Sequence, residues 1–345
     1  MAGRAAPALG RLLAVAAAAA LCSGWVAAAP PAPRLPRLEV VATGVPRPLQ
    51  LALDGRHLVI LAPGAAGDVA GEIYRVDLGA SLPIDLSREP HVRVPYAEPQ
   101  MASLGSLAVD PVTGRLFLGE ENGRRIYRLS SDEHLSLYAT GLRRLAGGST
   151  LAFDGLDRLL VLDYVDPAVS PGEDRGPPGL EDLEREDYRG PLLYALGLES
   201  AVPLPRRLDR LAPLYPRAWG GRKGGALLPR LISLARLPGG GPVLLSSAGQ
   251  LFRLTAEGTL VEFARLPPGH GEYNRTNLAV APDGTVFVSA GFHVARIFRV
   301  SPDGVVTTVA ANLGDPEGIA YHETGYLYVA ESSFHRIVRL KPSDS

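Results

Sequence analysis

The sequence predicts an all-β fold, a six-bladed β-propeller whose N-terminal strand completes the last blade. Three observations predict it. A strand-rich phrase recurs about every 44 residues, the spacing of four-stranded propeller blades. The 345 residues include 39 Gly and 31 Pro, which favours many turns and argues against a helical bundle. A strand near the front of the chain matches one that is missing at its end.

The first element is a leader. Arg4 and Arg11 precede the uncharged run Leu12–Leu21, and small residues follow at Ala27, Ala28 and Ala29. This order reads as a secretory signal over residues 1–28, which predicts a secreted or periplasmic protein. An uncleaved anchor is the rival reading. The sole cysteine, Cys22, falls inside this segment, so the mature chain has no disulfide or cysteine metal site. No later segment has the uncharged apolar length of a membrane span.

Residues 38–345 read as one propeller. The phrase is SLAVDPVTGRLFLGEENGRRIYRL at Ser106–Leu129, NLAVAPDGTVFVSAGFHVARIFRV at Asn277–Val300 and GIAYHETGYLYVAESSFHRIVRL at Gly318–Leu340. Weaker copies end at Val76 and Leu254, and a sixth starts at Thr150. Each holds short alternating strands bounded by turn residues. Fourth strands follow as LSLYATGL, TLVEFARL and VVTTVAANL, but the last copy has none. LEVVATGV at Leu38–Val45 supplies it and removes an open edge. An insertion at about 164–228 interrupts the third blade. Its acidic part, SPGEDRGPPGLEDLERED, reads as a lid or a disordered flap; its basic part, with Arg206, Arg207, Arg210, Arg217, Arg222 and Lys223, reads as a solvated surface, with pairing to the acidic part as the alternative.

The ending AESSFHRIVRL, with DPEGIAYHETGYLYVAE before it, resembles the NHL repeat. The likeness is good over the final blade and fair over residues 104–142 and 275–313; Phe334 stands where that repeat usually has asparagine. The wider six-bladed group includes gluconolactonase-like calcium hydrolases, virginiamycin-lyase-like proteins, quinone-dependent sugar dehydrogenases and scytonemin-cluster-like propellers. VVATGVPRPLQLAL resembles the last of these. The resemblance implies the fold and leaves the activity open.

Loops between second and third strands share the top face with the links between blades, and such loops carry function. They place Glu120, Asp163, Asn274, His293, Glu331 and His335 there as candidate ligand-binding residues. Glu120, Asp163 and Glu331 hold equivalent places at the ends of second strands. Together they could hold calcium, which takes six to eight oxygens; the competing reading is that each braces its own turn. Glu317 and Asn277 stand at innermost strands, where the resemblance to calcium lactonases implies metal ligands. His270 with Glu272 is the catalytic candidate, as a histidine near a carboxylate.

A net charge of −1 gives no basic excess for nucleic acid. The chain has no G-x-S-x-G elbow, no P-loop and no H-E-x-x-H pair. Two functions remain. One is a module that binds a small molecule or a protein through its top face. The other is a calcium-dependent hydrolase or lactonase. A sugar dehydrogenase would need a catalytic histidine that these residues do not place.

Overall fold

Second strands such as Leu116–Glu120, Pro242–Ser246 and Leu327–Glu331 are buried at every position, so both faces of each sheet need cover. A ring of blades gives it, because each sheet packs between two neighbours. The computed structural model describes residues 35–342 except 65–66, 144, 146–147, 156, 164–190, 199–202, 218–229, 269–272 and 292–293. Among these residues six apolar clusters form, and each joins two consecutive blades. His57–Ala62 shows how alternation serves this: Leu58, Ile60 and Ala62 face blade 6, while Val59 and Leu61 face blade 2.

Blade 1 is built from Gln50–Asp54, His57–Ala62, Val69–Asp77 and Val92–Pro95. Blade 2 has Leu104–Val109, Leu116–Glu120, Ile126–Leu129 and Leu135–Thr140. Blade 3 has Leu151–Phe153, Arg158–Asp163 and Leu192–Gly197. Blade 4 has Leu231–Arg236, Pro242–Ser246, Gln250–Leu254 and Leu260–Arg265, and blade 5 has Leu278–Val280, Val286–Ser289, Arg296–Val300 and Val306–Ala311. Blade 6 has Pro316–Tyr321, Leu327–Glu331 and Arg336–Leu340, and Glu39–Thr43 closes it. That closing strand pairs antiparallel with Arg336–Leu340, from Glu39 opposite Arg339 to Thr43 opposite Arg336. No helix among the described residues is long and apolar enough to cross a membrane.

The range 164–228 differs from its reading as an insertion. Leu192–Gly197 lies inside it and is the third strand of blade 3, in full register with Arg158–Asp163. The outer position of that blade is held by Tyr215, bridged to Leu193. The basic part is not all solvated surface either. Arg206 is buried and lies over the Tyr138 ring, and Arg207 pairs with Asp209. The acidic stretch read as a lid lies outside the described residues.

Two straps reinforce the ring. Ile84–Asp85 leaves blade 1 and runs parallel to Ala42–Thr43 on the outside of blade 6. Arg206–Arg207 leaves blade 3 and runs parallel to Ala139–Thr140 on the outside of blade 2. Each continues into a single 3-10 turn that begins with a buried leucine, Leu86 or Leu208. The sequences match, LPIDLSR at 82–88 and LPRRLDR at 204–210, and so do their docking sites, Ala42-Thr43-Gly44 and Ala139-Thr140-Gly141. Both glycines have positive φ, and a Cβ at Gly141 would lie 2.3 Å from the Asp209 carboxylate. Leu86→Ala and Leu208→Ala should each cost roughly 2–5 kcal/mol in chemical denaturation, as buried leucine truncations do. A cost near zero for either would show that the straps merely rest on the ring.

Candidate ligand site at the channel mouth

First strands run from the top face down the channel, so a residue just before or at the start of a first strand lies at the channel mouth. Glu317 is at such a place in blade 6, and Asn277 and Thr276 are in blade 5. Ser149 precedes the first strand of blade 3, and Gln50 opens that of blade 1. Glu317, Asn277, Thr276 and Gln50 are all buried. The Ser149 hydroxyl and the Asn277 side-chain oxygen are 2.5 Å apart, which joins blades 3 and 5 across the mouth. Gly148 allows this approach, since a Cβ there would lie 2.8 Å from the Thr276 carbonyl. Below Ser149 a cavity of about 270 Å³ runs down the channel, lined by first-strand residues that include Leu51, Leu107, Leu234, Leu278 and Ile319.

Glu317 is 2% exposed. Burial pushes its carboxyl up to about 7; the Arg275 charge and Ser332 pull it down, Glu121 adds a smaller upward push and Arg47 a smaller downward one. Arg275 lies in the link before blade 5. Its guanidinium donates to Glu121 at 2.7 Å and stands 3.9 Å from Glu317. Arg275, Arg47 and Asp315 all have left-handed backbones, and each lies in a link that leads into this mouth. Such strain in non-glycine residues gathers where a site must hold a set geometry.

The three ring-equivalent carboxylates do not join this site. Glu120 accepts the backbone N–H of Ala102 and Arg124 and the Tyr127 hydroxyl. Both Asp163 oxygens accept the Arg143 N–H. Glu331 accepts the Gly314 N–H and pairs with Arg336 Nε at 2.5 Å. Each is buried and ties the end of a second strand to the link that enters its own blade. Their equivalence reflects a repeated brace, so their reading as ligand groups gives way to the structural one. Asn274 is exposed, and its side-chain oxygen caps the N–H of Arg275. His335 is exposed on the rim, and its Nδ1 accepts the Arg47 N–H at 3.0 Å. His270, Glu272 and His293 lie outside the described residues.

Of the sequence candidates, Glu317 and Asn277 are brought to one place. Arg275 and Glu121 complete it; both lie beside candidates in rim loops, and no motif in the sequence pairs them. The donors do not fit calcium. The site offers two carboxylates and one amide, with the Arg275 guanidinium set between the carboxylates, against the six to eight oxygens calcium takes. No group of three His, Cys, Asp or Glu among the described residues is arranged to hold a metal.

The fold and the mouth together define a six-bladed propeller with a polar site closing one end of its channel. Solved structures bear out the first part. The chain is similar to virginiamycin B lyase from Staphylococcus aureus, with TM-score 0.52 and 10% identity over 88% of this chain and 99% of that one. It is similar to a gluconolactonase from Xanthomonas campestris, with TM-score 0.53 and 17% identity over 89% of each chain. It is also similar to regucalcin, a calcium-binding protein from Agrobacterium tumefaciens, with TM-score 0.53 and 10% identity over 87% of this chain and 94% of that one. At these identities the likeness is one of fold. No protein-family model and no curated protein matches the sequence.

Proposed function

We propose that this protein is an exported propeller that binds a small polar molecule at the top mouth of its channel. One observation carries the reading. Glu317, Asn277, Ser149 and Arg275 converge there from three blades, whereas Glu120, Asp163 and Glu331 are consumed by braces. Polar side chains that converge at one end of a concave channel are a usual feature of a small-molecule site. The export part rests on the leader-like order of residues 1–28. A protein partner on the same face has no comparable observation in its favour.

A second reading, hydrolysis of a lactone or ester, is favoured by the Glu317 carboxyl. A carboxyl that titrates near neutrality can both take and give a proton. The likeness to a gluconolactonase and to a calcium-binding regucalcin supports that class. Because the donors suit calcium poorly, the chemistry here would rest on Glu317.

Thermal unfolding should separate the readings. A panel of sugars, sugar acids and lactones is expected to contain a class that raises Tm by several degrees at millimolar concentration, with no such rise in Glu317→Gln. Calcium and chelator should leave Tm unchanged. Calcium-dependent stabilisation, lost in Glu317→Gln, would favour the calcium hydrolase. A panel without any stabilising compound would remove the binding reading.

A further inference from the structure

We propose that the ligand of the channel mouth carries a carboxylate, and that Glu121 occupies its place on Arg275 until it arrives. The inference rests on the ligand-binding reading above and narrows it to a chemical class.

Arg275 enters from blade 5 and Glu121 from blade 2, three blades apart in a ring of six. Their ion pair therefore bridges opposite sides of the mouth, between residues 154 positions apart. A guanidinium has five N–H donors. The hydrogen bond to Glu121 engages one of its nitrogens, and the group keeps 28% of its surface exposed. An arginine held this way, with part of its fork open to solvent, can offer its remaining N–H groups to a planar anion.

Glu121 is built to stand there. Its own N–H donates to the Ser103 carbonyl at 2.7 Å. The next residue, Asn122, donates to the Leu145 carbonyl, and Leu145 donates back to Gly123. The turn is thus pinned to links on both sides. Gly105 leaves the room: a Cβ there would lie 2.6 Å from Glu121 Cβ. Arg275 is pinned as well. Tyr273 donates to the Ser247 carbonyl, and a Cβ at Gly291 would meet the Asn274 carbonyl. Two strained or crowded segments therefore face each other with opposite charges, and the pair they present is partly buried. A carboxylate from solution can take the Arg275 fork in place of Glu121, while Glu317, Asn277 and Ser149 remain for its other polar groups.

The test compares each acid with its amide, malonate with malonamide and lactate with lactamide, by calorimetric titration at low ionic strength. The acids are expected to bind the wild-type protein and the amides at least tenfold more weakly. Glu121→Gln should tighten acid binding roughly 2- to 5-fold, the range of a partly exposed ion pair removed as competitor. Arg275→Gln should abolish acid binding, and Arg275→Lys should recover part of it. Amides binding as tightly as acids, or an acid affinity indifferent to Glu121→Gln, would overturn the proposal. If uncharged polyols or lactones bind in a Glu317-dependent way and acids do not, this inference fails and the broader reading stands. If no compound, charged or neutral, responds to Glu317→Gln, the broader reading fails and takes this one with it.

Discussion

Glu317→Gln is expected to make the protein more stable at pH 8 than the natural chain, while changing little near pH 4.5. The carboxyl titrates at about 7 in the folded protein against 4.5 when unperturbed, chiefly because burial penalises its charged form. Between those values the folded state keeps a proton that the unfolded state has released. Stability from this group therefore falls as pH rises through that window, and the full penalty is present above pH 7. Each pK unit corresponds to about 1.4 kcal/mol, so the penalty is on the order of 3 kcal/mol. Gln has the same shape and no charge to desolvate. Urea unfolding at pH 5 and pH 8 measures the effect, and the variant should show the flatter pH profile. A variant equally destabilised at both values would mean that the carboxylate is stabilised by its neighbours. A group that weakens the fold at working pH and is nonetheless placed at the channel mouth fits a site shaped for binding.

A chain that begins at Pro46 should fail to fold cooperatively. It lacks Glu39–Thr43 and with it Val41, Ala42 and Val45, none of which is exposed. Burial of two valines alone is worth about 3–6 kcal/mol. The ladder to Arg336–Leu340 and the docking of Ile84–Asp85 go as well. Native domains have roughly 5–15 kcal/mol in total. The exposed edge of blade 6 would also invite association. The control is a permuted chain that starts at Pro46 and carries residues 36–45 after Lys341 through a short Gly linker. Glu39 already lies opposite Arg339, so the join is short. Circular dichroism and denaturant titration should show the permuted chain folded and the truncated one not. A truncated chain with a normal unfolding transition would show that the ring does not depend on closure.

The blades were legible because each is a local unit. The apolar runs within Leu116–Glu120 or Val286–Ser289 and the turn residues between strands lie within one phrase of the chain. The closing strand was legible for the same reason, since LEVVATGV matches LSLYATGL. The straps were not. A two-residue parallel strand has no period, and LPIDLSR and LPRRLDR stand 122 positions apart without the apolar run that marks a blade. Glu120, Asp163 and Glu331 were prominent because they repeat, but repetition alone left a shared ligand set and a repeated brace both open.

Arg275 and Glu121 show the other side. Neither belongs to a motif, and their pairing depends on how far around the ring each blade falls. Number of blades, strand order and closure follow from short-range pattern, because hydrophobic alternation and turn chemistry act over a few residues. Which polar groups meet at the channel mouth, and the protonation of Glu317, follow from ring closure, because charge interactions and burial depend on distances that only packing sets.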